Sequence, residues 1–205
     1  RLVLFMSRDF HLPGRSPVIA GEGMAATSHP LATLAAIDVM RLGGNAVDAA
    51  VTAVAVLCVI EPHMTGIGGD CFALIAEDGK PVWGYNGCGR SGAKASTEAL
   101  LAKGMRAIEP VSPHAVNVPG AIEAWDAILK AHGTWSLDRA LKPAIHYAEF
   151  GFPVAARVAN DWKGLAGKLG NSPGATKHYL AGGRAPEEGD IVKLPALAAT
   201  LKAIA

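Results

Sequence analysis

The stretch from Asn45 to Pro62, NAVDAAVTAVAVLCVIEP, constrains the fold more than any other part of the chain. From Ala49 to Ile60 it is apolar on almost every helical face, so a helix formed there must be surrounded by other elements. Asn45 is a good N-cap, and Asp48 in the first turn places a negative charge at the positive end of the helix. Glu61-Pro62 closes the run, because the residue before a proline is pushed out of helical conformation. A membrane span needs about 20 apolar residues, well beyond this length. The run therefore reads as the central helix of a core. A chain of 205 residues can bury such a helix, as one domain or as part of a larger one.

The flanking patterns predict what packs around it. Ser28 as cap, Pro30 in the first turn, and Leu31, Leu34, Ala35, Val39 and Met40 at helical spacing predict a helix stopped by Gly43-Gly44. His63 to Asp70 is a glycine-rich loop. Cys71 to Ala76 reads as a strand, Glu77-Asp78-Gly79-Lys80 as a turn and Pro81 to Tyr85 as the returning strand. Pro119-Gly120 opens a helix through Trp125 and Leu129 that Gly133 stops. Ser136 caps another, through Leu141 and Ala148 to Gly151, in which Pro143 is expected to make a kink or a break. Val154 to Leu165 is a third helix, 167–190 is expected to be loop with a short piece around Tyr179, and Leu194 to Ala205 begins a further helix.

Charge and cysteine usage narrow the classes of function. The net charge of +1 and the absence of a basic run give no footprint for nucleic acid and none for a membrane surface. Three cysteines, Cys58, Cys71 and Cys88, are an odd number without a CxxC pair, so neither a disulfide framework nor a zinc site is indicated. Free thiols suit a reducing compartment. Arg1 to Phe5 is apolar and basic, but Arg8 and Asp9 interrupt it before it reaches the length of a secretory apolar region. Met6 reads as a natural start, and 1–15 as an N-terminal extension to a domain over 16–205.

No complete catalytic motif is present: there is no GxSxG, no HExxH and no class A β-lactamase set. The seven histidines are scattered without an i, i+4 pair, which leaves them as capping, core or surface residues and indicates no metal site. GIGGD, residues 66–70, lacks the lysine of a P-loop and the third glycine of GxGxxG. Glu61 and Asp70 flank this loop; Glu61 reads as structural and Asp70 as an acceptor for loop amides. Lys94 and Arg106 read as solvated. The remaining candidate is Arg90 in GYNGCGRSG, a single cation in a glycine-rich turn. It is either an anion-binding group or a member of an ordinary solvated loop.

Three stretches resemble the large-subunit region of the γ-glutamyltransferase family. They are Gly23 to Asp70 (GMAATSHP through TGIGGD), the strand pair leading into NGCGRSGAKA, and EGDIVKLPALAATLKAIA at 188–205. The resemblance implies an α+β fold of the Ntn-hydrolase type, an αββα sandwich to which this chain supplies the N-terminal large-subunit part. It implies a precursor that cleaves itself, an N-terminal threonine nucleophile on the small subunit whose own α-amine is the base, and an acyl-enzyme passed to water or to an amine. No cofactor is implied. The substrate is a small-molecule amide, γ-glutamyl amides such as glutathione first, with glutaryl or oxamate type amides and a non-catalytic scaffold as alternatives.

The partner implied is the small subunit or the rest of the same precursor. None of Thr27, Thr33, Thr52, Thr65 and Thr134 stands in the nucleophile's context, so the 205 residues alone are expected to be inactive. Family members are often periplasmic or at the cell surface, but the unpaired cysteines favour the cytoplasm. In the family an arginine after this hairpin binds the substrate α-carboxylate, a role that falls to Arg90 here. Aligning Ala93-Lys94-Ala95 puts Cys88 where typical transpeptidases have that arginine, with Arg90 about 7 Å further along an extended chain. The pattern Asn-Gly-x-Gly-Arg resembles a divergent branch that includes acylases and amidohydrolases.

Overall fold

The computed structural model describes residues 17–110 and 112–205; the N-terminal extension and Met6 lie outside them. The central helix forms as its composition demands. Helix α2, Ala46–Ile60, is opened by Asn45, whose side chain accepts from the Val47 and Asp48 amides, while Asp48 accepts in return from the Asn45 amide at 2.8 Å. This reciprocal arrangement satisfies amides that a helix N-terminus otherwise leaves open.

Around it pack α1 (Pro30–Arg41), α4 (Ala121–His132) and α5 (Leu137–Phe150). Ala55, Val56, Val59 and Ile60 are fully enclosed. Most of the apolar surface of α2 is thus covered within this chain, while Ala50 stays exposed and Val47 and Val54 are half-buried. Helix α8 (Pro195–Ile204) buries Ala198 and Leu201 against α5 and ties Lys202 to Glu149 at 2.6 Å.

The class is α+β, as expected. Strands β1 (Cys71–Ile75) and β2 (Trp83–Gly87) form an antiparallel hairpin with Cys71 opposite Gly87 and Ile75 opposite Trp83. The return strand lies two residues later than the sequence pattern suggested, since 76–82 is taken up by the turn. A second antiparallel pair, β3 (Phe152–Pro153) with β4 (Ile191–Val192), had no signal in the sequence because each strand is only two residues long. A short α3 (Thr97–Ala102) and a 3-10 turn at Pro113–Ala115 lie between the hairpin and α4.

Two further expectations are corrected and one is met. Helix α5 runs through Pro143 without a break, so of the two expected outcomes a break is ruled out. The lost backbone bond is offset by Leu141, Ala144 and Ala148, which are fully buried on the same helix. Helix α6 spans Ala156–Gly170, continuing past Gly164 and Gly167 into the region assigned to loop, while α7 (Pro173–Tyr179) is the short piece expected around Tyr179. Tertiary packing overrides the weak helix preference of the glycines there: Trp162 is buried and donates to the Tyr179 carbonyl at 3.0 Å. At the end of α1, Gly43 adopts φ +83° and the Gly44 amide returns to Val39, the expected glycine stop.

The cap of α1 also differs. Ser28 donates instead to Glu61 at 2.6 Å, and His29 takes the capping position, its Nδ1 accepting from the Leu31 amide at 3.2 Å. Only an unprotonated Nδ1 can do this. Burial lowers the His29 pKa below its ordinary 6.5, although the neighbouring Glu61 carboxylate opposes the shift. A depressed folded-state pKa means stability that is complete above 6.5 and falls as the pH drops toward the folded value. We expect thermal stability to decline between about pH 7 and pH 5, with the lost cap worth about 1 kcal/mol. His29→Asn, which caps without titrating, should flatten that part of the melting-temperature profile; an unchanged slope would assign it to another group.

Candidate functional site

The site is built where the end of the hairpin meets the glycine loop and the start of α4. Beyond the last ladder pair, Cys71 with Gly87, the two chains do not separate. The Asp70 carboxylate accepts from the Gly89 amide at 2.9 Å, and Asn86 accepts from the Cys88 amide at 3.0 Å. On the other side the Arg90 carbonyl accepts from the Val118 amide at 2.9 Å. The Gly69 carbonyl accepts from both Gly120 and Ala121, satisfying the first open amides of α4.

This approach needs glycine at three positions. A Cβ on Gly87 would stand 2.5 Å from the Ala124 Cβ. One on Gly89 would stand 2.8 Å from the Val118 carbonyl carbon and closer still to its oxygen, and one on Gly120 would overlap the Gly87 carbonyl. Chain segments at this spacing interlock backbone to backbone, which only glycine permits. The segment 87–90 is therefore not an open turn. It is a tight junction that fixes the chain on both sides of Arg90.

Arg90 itself is exposed, and among the described residues its guanidinium makes no ion pair. Lys94 and Arg106 are exposed as expected. Glu61 is structural, held by Ser28, and Asp70 bonds a loop amide, also as expected. Of the histidines, His29 caps α1 and His132 pairs with Glu77 at 3.1 Å while lying 4.6 Å from the Trp83 ring. Together with the Tyr85 hydroxyl, which donates to Glu123 at 2.9 Å, these contacts anchor the hairpin along α4. Among the described residues no cluster of three or more His, Cys, Asp or Glu could hold a metal. Nor is any helix among them long and apolar enough to cross a membrane.

The cysteines are poor nucleophiles. Burial pushes the Cys58 thiol up to about 11, and burial also raises Cys71. Cys88, at the position where the resemblance places the transpeptidase arginine, is raised by desolvation and then by the Asp70 carboxylate. All three stay protonated at neutral pH. The sequence pattern alone missed the 117–120 segment as a part of this junction. Its only signal was Pro119-Gly120, which reads as an ordinary helix start.

A second feature of the hairpin bears on function. Its inner face, with Ala73, Ile75, Trp83 and Tyr85, packs on the core, whereas Phe72 and Leu74 point outward, 69% and 82% exposed. The free edge of β1 and α2 flank an apolar trough of about 450 Å³ lined by Val47, Ala50, Val51, Val54, Phe72 and Leu74. Arg90 lines neither this trough nor the cleft of about 550 Å³ between Pro62-His63 and helices α6 and α7.

The chain is similar to proteins already described. A glutathione hydrolase-like proenzyme of Bacillus subtilis is 38% identical over 92% of this chain, and an oxamate amidohydrolase proenzyme of Klebsiella pneumoniae is 36% identical over 91%. In each case the chain spans only 36% of the relative's length. The crystal structure of a cephalosporin acylase from Bacillus halodurans superposes with a TM-score of 0.88 at 38% identity, over 98% of this chain and 39% of that one. The model of one family, gamma-glutamyltranspeptidase, matches residues 32–205, and with relatives of this identity along nearly the whole chain, the protein belongs to the gamma-glutamyltranspeptidase family.

Proposed function

We propose that this chain forms the N-terminal large-subunit part of a self-processing acyltransferase or hydrolase that cleaves amides carrying a carboxylate on the acyl side. The observation that carries this reading is Arg90: an exposed guanidinium, without an ion pair among the described residues, on a backbone held from both sides in a chain of this family. A planar guanidinium can take a carboxylate through two parallel hydrogen bonds and does not lose its charge. The nucleophile, an N-terminal threonine with its own amine as base, belongs to the part of the relatives' length that this chain does not span.

That remaining part supplies the other walls of the site. Unpaired strand edges and exposed apolar strand faces draw further strands. The trough beside β1 suits a strand from the rest of the precursor, lying over Val47, Val51 and Val54. Covering Phe72 and Leu74 would then complete the second layer of the sandwich.

For the acyl group, γ-glutamyl amides such as glutathione are the first reading, in keeping with the glutathione hydrolase-like relative. The two-residue offset between Cys88 and Arg90 favours a second, an acidic amide without the α-amino group, in keeping with the oxamate amidohydrolase relative. One experiment tests both. Mass analysis of the full-length protein should give two polypeptides, the smaller beginning with threonine, and turnover of γ-glutamyl against glutaryl anilide then separates the acyl groups. Arg90→Ala should raise KM for the preferred anilide by roughly 10–100-fold with a smaller change in kcat, the range of a charged hydrogen-bonded pair. A single uncut chain without turnover would leave the scaffold reading.

A further inference from the structure

Arg90 can present its guanidinium reproducibly only if the peptide groups on both sides of it are fixed. On the C-terminal side the Arg90 carbonyl is held by the Val118 amide, a backbone-to-backbone contact. On the N-terminal side nothing in the backbone ladder does this, since the β1–β2 pairing ends with Cys71 and Gly87. Past it the Cys88 amide is held only locally, by the Asn86 side chain two residues back at 3.0 Å, and the amide next to Arg90, that of Gly89, is held across the hairpin by the Asp70 side chain at 2.9 Å.

Asp70 is the residue immediately before β1, so its carboxylate extends the pairing past the end of the ladder, in place of a backbone carbonyl. The carboxylate forms no ion pair with Arg90, so the guanidinium is left to a ligand. We propose that Asp70 is the positioning residue for Arg90: by holding the Gly89 amide it sets where the guanidinium stands and thereby the fit of carboxylate-bearing acyl groups. This rests on the reading of Arg90 as the carboxylate-binding group.

The role requires an acceptor oxygen and not a charge, which makes it separable from catalysis or direct ligand binding by Asp70. In the full-length processed protein, Asp70→Ala should raise KM for the preferred acidic anilide roughly tenfold, with kcat within about twofold, the scale of one hydrogen bond to a charged acceptor. Asp70→Asn keeps an oxygen toward Gly89 and should restore KM to near the wild-type value. In an Arg90→Ala background the Asp70→Ala change should add little, because it acts through the missing guanidinium. Amide exchange of the 84–92 segment should accelerate in Asp70→Ala and not in Asp70→Asn.

Equal losses in the Asn and Ala variants would overturn the proposal, as would full additivity with Arg90→Ala or unchanged exchange at Gly89 in Asp70→Ala. If the wild-type protein turns over no carboxylate-bearing amide, the reading of Arg90 fails. Exchange at Gly89 then decides by itself whether Asp70 holds this backbone.

Discussion

Asp48→Ala is expected to lower the unfolding free energy by about 4 kcal/mol, measured by denaturant titration. Asp48 is fully buried, and its two oxygens accept from the Asn45 amide at 2.8 Å, the Thr134 amide at 2.8 Å, the Trp135 amide at 3.0 Å and the Thr134 hydroxyl at 2.6 Å. It therefore joins the start of α2 to the turn between α4 and α5. Truncation removes one acceptor group but strands several buried donors, and each stranded group costs about 1–3 kcal/mol. Thr134→Val, which removes only the hydroxyl donor, should cost about 1 kcal/mol. Similar losses for the two variants would mean that the α4–α5 turn relaxes around the gap.

The same carboxylate responds to acid. Burial alone would raise its pKa, but the Thr134 hydroxyl and the Trp135, Asn45 and Thr134 amides together outweigh burial and hold it below the ordinary 3.8. A depressed folded-state pKa contributes stability that is complete above 3.8 and is lost as the pH falls through the lower folded value. Asp48→Asn should remove that contribution to acid unfolding.

Gly89→Ala is expected to destabilise the protein by about 3 kcal/mol, the upper range for overpacking, and to abolish productive use of Arg90. The methyl would meet the Val118 carbonyl, a backbone group that cannot rotate away. Either the hairpin end or the 117–120 segment must move, and both hold Arg90 in place. Gly92→Ala is the control: nothing lies within 4 Å of a Cβ there, so it should be close to neutral. Equal behaviour of the two variants would show that the junction is looser in solution. Melting temperature and the KM for an acidic anilide read the two consequences separately.

Much of this could be read along the chain. Asn45 and Asp48 mark the start of α2 because capping is local: the groups that satisfy each other are three residues apart. The hairpin was visible from Glu77 to Lys80, and the end of α1 from Gly43-Gly44, for the same reason. Pro143 and the glycines of α6 misled because local preference is weak beside burial. Leu141, Ala144 and Trp162 hold helices that those residues alone would interrupt.

The residue types at the site were legible too: a lone arginine among glycines, with Asp70 as an acceptor for loop amides. The partner of Asp70 was not, since Gly89 lies 19 positions away, nor was the approach of Val118 to Arg90. Sequence by itself determined most of the helices, the first hairpin, the family and the chemistry that Arg90 offers, since capping, periodicity and side-chain type act over a few residues. Only the tertiary structure decided that Arg90 stands on a junction of interlocked glycines, and that the outer hairpin face and the trough beside α2 are left open. Those outcomes depend on which distant backbones approach closely enough to exclude a Cβ, and no short-range pattern encodes that distance.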